Sequence, residues 1–164
     1  AQFANIKKGA DVQLPVYECT KDDGSKLSIV ANYGAGLWGA IWGYVAVEGD
    51  YTTVEGAFFD HASETPGLGA KIAEPAFYTQ FRGKKLAAAT NSIEVVKGGA
   101  MGAESGVDAI SGATITSMAV KTTMAMWMAG YKAYFEKCAA KVAAAKAEAE
   151  AAAQNAAVES ENNN

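Results

Sequence analysis

Val12, Leu14 and Val16 alternate with polar or small neighbours, and this period of two predicts a strand over 12–17. Extended, β-branched character resumes from Leu27 to Tyr33 after Lys21-Asp22-Asp23-Gly24-Ser25, so the two runs read as a hairpin closed by an Asp-Gly turn. Two more extended runs follow: Leu37 to Val47, rich in Trp, Ile, Tyr and Val, and Thr53 to Asp60 after Asp50-Tyr51. Four adjacent strands joined by short glycine-containing turns favour an antiparallel sheet over βαβ crossovers.

The texture then changes. Glu64-Thr65-Pro66-Gly67-Leu68-Gly69 is punctuated as a loop, and Pro75 to Arg82 suits a short helix with proline in its first turn. Ile93 to Val96 adds one more strand, and a glycine-rich connection running from Gly98 through Met101 to Gly106 ends the sheet section. Beyond Ser111 no proline occurs, and Met118, Lys121, Thr122, Ala125, Met128, Ala129 and Lys132 are compatible with helical spacing, so one long helix is expected. The expected fold class is therefore α+β, a mainly antiparallel sheet with a short helix and a long C-terminal helix. From Ala139 the composition collapses to Ala, Lys, Glu and Gln, which propagates a helix but offers almost no large apolar residue to bury. This divides the chain into a domain over 1–138 and an Ala-rich helical extension over 139–164, with Glu159 to Asn164 expected to be disordered.

Composition narrows the function. The chain has 164 residues, 50% of them hydrophobic, enough for one substantial core. Its formal charge of −4, with no Lys/Arg run, gives no reason to expect a nucleic-acid partner. Cys19 and Cys138 are too few and too far apart for a zinc framework, although they could form one disulfide, and no metal site is expected. The single histidine, His61, has no Ser, Cys or Asp arrangement around it that reads as a nucleophile system, so no catalytic residue is assigned. No run of about 18 apolar residues marks a membrane span.

The most informative segment is Asp108-Ala-Ile-Ser111-Gly112-Ala113-Thr114-Ile-Thr116-Ser117, four hydroxyls around a glycine at the expected helix start. Such residues cap helices, and on local physics alone that is their commoner use. The same geometry attracts a phosphate, since free N–H groups and the positive end of the helix dipole face it. Both uses are compatible.

Asp108-x-x-Ser111-Gly112-Ala113-Thr114 resembles the signature at which a flavin transferase attaches FMN to threonine. Glu64-Thr65-Pro66-Gly67-Leu68-Gly69 resembles a loop of the same family, although alone it is an ordinary tight turn. Gly34-Ala-Gly36-Leu37-Trp38-Gly39 is similar to the Gly-Leu-Trp strand entry of the C subunits of sodium-pumping NADH:quinone oxidoreductases. The G subunits of the related Rnf electron-transport complex share the first two patterns and form the nearest alternative; a non-redox binding or scaffold module is the more distant one.

The resemblance implies a phosphoester between FMN and Thr114, with Asp108, Ser111, Gly112, Ala113, Thr116 and Ser117 around it. It also implies that Glu64, Thr65, Leu68 and Gly69 lie against the flavin, with Trp38 either touching it or buried as a core residue. Trp42 and Trp127 have no motif and are expected in the core. The partners implied are the transferase during maturation, bringing FAD and magnesium, and the other subunits of a membrane redox complex. Electrons from NADH would reach this FMN and leave for a neighbouring flavin, the domain facing the periplasm and the chain lacking its membrane anchor. The Ala-rich tail departs from the family pattern.

Overall fold

The computed structural model describes residues 13–100 and 102–162, so Val12, Met101, Asn163 and Asn164 lie outside the described residues. Four strands, β1 (Val16–Thr20), β2 (Lys26–Ala35), β3 (Ala40–Glu48) and β4 (Val54–His61), form an antiparallel meander in chain order. The Asp-Gly turn is present: Lys21 N–H donates to the Ser25 carbonyl, Gly24 N–H to the Lys21 carbonyl, and Gly24 adopts a left-handed φ of 82°. The first strand starts later than the alternation predicts. Leu14 precedes β1 and packs toward Gly130, where a Cβ would lie 2.7 Å from its Cδ1. Pairing spreads outward from the turn, Thr20 opposite Lys26 through Val16 opposite Val30, so the strand occupies the residues nearest that turn.

One face of the sheet carries Val30, Ile41, Val45, Val47 and Phe59, all buried. The other face exposes Tyr17, Tyr33, Tyr44 and Phe58. Trp42 alternates onto this outer face and is half-buried rather than a core residue, because its neighbours Ile41 and Gly43 take the inward positions. Trp127 is a core residue, as expected, and its Nε1–H donates to the Tyr33 carbonyl at 2.6 Å.

After β4 the chain makes a 3₁₀ turn (Gly69–Ala73), then α1 (Pro75–Tyr78) with Pro75 at its first position, then a second 3₁₀ turn (Thr79–Phe81). Phe77 and Phe81 meet Phe59 at ring distances of 5.9 and 5.1 Å and seal the end of the core. The strand β5 (Glu94–Val96) pairs in parallel with β6 (Gly106–Asp108), so the sheet section does not end at the glycine-rich connection as the sequence suggests. Three residues are too short to show periodicity, and β6 is held by a partner brought in from outside its own segment.

The long helix α2 (Thr114–Asn162) closes the core with Val120, Met124, Trp127, Met128, Tyr131 and Phe135, a stripe at three- and four-residue spacing. It passes Ala139 without a break, since alanine-rich sequence sustains helical geometry, and its backbone runs on through Glu159–Asn162, which the sequence reading places in a disordered tail. No helix among the described residues is long and apolar enough to cross a membrane.

Candidate functional site

The loop after β4 turns back beneath the start of α2. Glu64 N–H donates to His61 Nδ1 at 3.2 Å, and the amides of Leu68 and Ala70 both donate to the Thr65 carbonyl at 3.1 Å. Gly67 supplies the left-handed residue of this turn, at φ 72°. The outcome is a Glu64 side chain only 4% exposed, unusual for a carboxylate.

That carboxylate is fully engaged. Its Oε1 accepts Trp38 N–H at 2.8 Å, and its Oε2 accepts the Thr116 hydroxyl at 2.6 Å. Burial pushes its pKa upward, but the Thr116 hydroxyl and the amides of Trp38, Gly39 and Leu37 outweigh burial and hold it below the usual range, so it is ionised at neutral pH. Two glycines make room. A Cβ on Gly36 would lie 2.5 Å from Glu64 Oε1, and a Cβ on Gly69 would collide with Glu64 Oε2 and sit 2.6 Å from Thr116 Oγ1.

At the helix start the four hydroxyls divide their work. Ser117, fully buried, donates to the Ala113 carbonyl and accepts Ile110 N–H, both at 3.0 Å, fastening the approach loop to the first turn. Thr116 is spent on Glu64. Ser111 and Thr114 remain exposed, with Gly112 between them at φ 77°. Thr114, Ile115 and Thr116 open the helix, so their amides point out of its N-terminal end.

A cavity of about 210 Å³ joins the two motifs, lined by Glu64, Thr65, Leu68 and Gly69 from the loop and by Gly112, Ala113, Thr114 and Thr116 from the helix start. Leu37 and Ile115 complete the wall, and neither is among the sequence-derived candidates. Each stands beside one, Trp38 or Thr114, which is the only hint the sequence offers. Leu37, Leu68 and Ile115 are 44, 42 and 63% exposed, an apolar wall with space against it.

The remaining candidates lie off this cavity. Trp38 is 67% exposed, so the core alternative does not hold for it; its carbonyl accepts the Ser63 hydroxyl at 3.0 Å. Asp108, at the end of β6, turns its Oδ1 to Ala100 N–H at 2.8 Å, while its own N–H donates to Gln80 Oε1 at 2.9 Å. It thereby ties the glycine-rich connection to the segment after α1. Ser111 and Ser117 flank the cavity in sequence without lining it.

Residues 36–129 match the family described as FMN-binding domain. The chain is 43% identical over 116 residues to the C subunit of the Na(+)-translocating NADH-quinone reductase of Vibrio vulnificus, covering 69% of this chain and 46% of that protein. The crystal structure of the same reductase's C subunit from Parabacteroides distasonis superposes with a TM-score of 0.71 at 41% identity, covering 79% of this chain and 66% of the other. That of Shewanella oneidensis NqrC gives 0.70 at 36% identity, covering 77% and 61%. The chain spans about half the length of the curated relatives it matches.

Proposed function

The chain belongs to the FMN-binding domain family, and from that premise we propose that it carries FMN joined by a phosphoester to Thr114 and relays electrons as part of a sodium-pumping NADH:quinone oxidoreductase. The observation that carries the proposal is the shared cavity, which unites the Glu64–Gly69 loop and the Gly112–Thr116 turn around an exposed Thr114.

The residues present fit the group. The outward amides at the start of α2 and its dipole favour a phosphodiester by on the order of 0.3–1 kcal/mol. Leu37, Leu68 and Ile115 offer apolar contact to a flat ring system. Bound there, FMN supplies electron transfer singly or in pairs. The protein's part is to orient it and set its electrostatic surroundings. Glu64 is the titratable residue of the lining, and both of its carboxylate oxygens are committed to donors, Oε1 to Trp38 N–H and Oε2 to the Thr116 hydroxyl, which suits a relay better than an enzyme moving protons on a diffusing substrate.

Attachment asks for no base here. A separate transferase with FAD and magnesium would bring the Thr114 oxygen to the phosphorus of the FMN half, break the pyrophosphate bond, release AMP and accept the hydroxyl proton. The partners are then that transferase and the neighbouring redox subunits, with the domain on the periplasmic side of the inner membrane.

The test is co-expression with an active flavin transferase, followed by intact mass and a visible spectrum of the denatured chain. An FMN-sized mass increase and yellow colour that vanish in Thr114→Ala support the proposal. An unmodified chain beside a modified control target overturns it.

A further inference from the structure

We propose that Glu64 is a positioning residue that sets the electron affinity of the redox group held in this cavity, its fixed negative charge making that group harder to reduce. The inference rests on the flavin reading above.

Glu64 has two features beyond those of a loop tie. It lines the cavity, and the groups that compensate its charge are neutral: the Thr116 hydroxyl and the amides of Trp38, Gly39 and Leu37. None of the ion pairs among the described residues includes it. Neutral donors fix a carboxylate in place without cancelling its net charge, and at 4% exposure that charge is screened less than it would be in water. The backbone is shaped to admit it, since Gly36 and Gly69 both lack the Cβ that would fill the carboxylate's position. Gly69, the last residue of the Glu-Thr-Pro-Gly-Leu-Gly loop, is thereby explained as the space Glu64 and Thr116 share.

An electron reaching a flavin held here from a neighbouring one-electron donor, unaccompanied by a proton, would add one negative charge to the ring system. A carboxylate in the same wall opposes that charge, whereas a neutral amide of the same shape does not. A purely mechanical role predicts otherwise: Gln in place of Glu would still tie the loop, or would loosen it, without any rule for the sign of a potential shift.

The experiment compares the flavin-loaded wild type with Glu64→Gln and Thr116→Val. Midpoint potentials come from dithionite titration against redox dyes, flavin content from the spectrum after denaturation, and fold integrity from thermal melting. The midpoint of Glu64→Gln is expected to move to more positive values. That of Thr116→Val is expected to move to more negative values, because the charge remains and loses one of its donors. Two folded, loaded variants with the wild-type midpoint, or with shifts of the same sign, overturn the inference while leaving the flavin reading intact. If Glu64→Gln fails to fold, Thr116→Val decides alone: an unchanged or more positive midpoint overturns the inference. A wild-type chain that takes no flavin from an active transferase overturns the flavin reading and this inference with it.

Discussion

Glu64 and Thr116, 52 positions apart in the chain, meet through a 2.6 Å hydrogen bond between side chains that are 4 and 1% exposed. The bond fastens the Pro-Gly loop to the first turn of α2, and with Trp38 N–H on the other carboxylate oxygen it draws three separate segments onto one cavity. The geometry of the site therefore depends on how tightly this contact is enclosed.

Gly69→Ala is expected to destabilise the domain by about 1–3 kcal/mol, the cost of forcing a methyl into a filled space. The new Cβ would collide with Glu64 Oε2 and Thr116 Oγ1, which are pinned by their own hydrogen bonds. Gly56→Ala is the control, since a Cβ there meets nothing within 4 Å and no left-handed φ is involved. Urea titration of both variants checks the contrast; equal midpoints would remove the steric explanation.

Stability should fall at both ends of the pH scale for identifiable reasons. The Glu64 and Asp50 carboxyls are both held below the usual range; for each, burial raises the pKa but hydrogen bonds outweigh it, from Thr116 and three amides on Glu64 and from Thr53, Thr52 and Lys85 on Asp50. A depressed carboxyl contributes stability above its unfolded pKa and loses it as pH falls through the folded value, so the loss begins below about pH 4. Tyr131 is pushed up to about 12 by burial, and its hydroxyl donates to the Pro15 carbonyl at 3.1 Å. A raised tyrosine contributes stability that is present below about pH 10 and lost as pH rises toward 12. Melting temperature against pH should therefore decline more shallowly in acid for Asp50→Asn and more shallowly in alkali for Tyr131→Phe than for the wild type.

Cys19 and Cys138 should resist forming an intramolecular disulfide. Glu18 projects toward the helix, where its Oε1 accepts the Tyr134 hydroxyl at 2.8 Å, so the next residue, Cys19, projects from the opposite face of the sheet. Cys138 lies on the helix, one turn beyond Tyr134. Both are free thiols, Cys19 exposed and Cys138 partly covered. Maleimide should label Cys19 faster, and mild oxidation should yield no intramolecular crosslink on a non-reducing gel.

Ending the chain after Ala139 should leave the melting temperature within a few degrees of the full-length value while lowering the helical signal in circular dichroism. The last fully buried side chain of α2 is Phe135, and from Ala140 to Gln154 every described residue is exposed. A large drop in melting temperature would show that the extension packs on the domain.

Much of the sheet was legible because its signals are local. The Asp-Gly turn, the β-branched and aromatic character of β2 and β3 and the proline at the start of α1 act within a few residues of themselves. Trp42 was misplaced because a large aromatic without a motif was assigned to the core by residue type, and type does not say which face of the sheet is covered. The strand β6 escaped because its three residues become a strand only beside Glu94–Val96.

At the site, the order of residues was enough to show two motifs, one that bends sharply and one that opens a long helix; turn chemistry and helix propensity are properties of consecutive residues. The folded packing set how the hydroxyls divide, with Ser117 and Thr116 spent on internal bonds and Thr114 left exposed. It also put Leu37 and Ile115 on the cavity wall and turned Asp108 toward Ala100. The difference is one of range. A serine or carboxylate in sequence carries the capacity to bond, and which partner it meets is fixed by the packing of α2 across the sheet, which brings residues 52 positions apart within hydrogen-bonding distance.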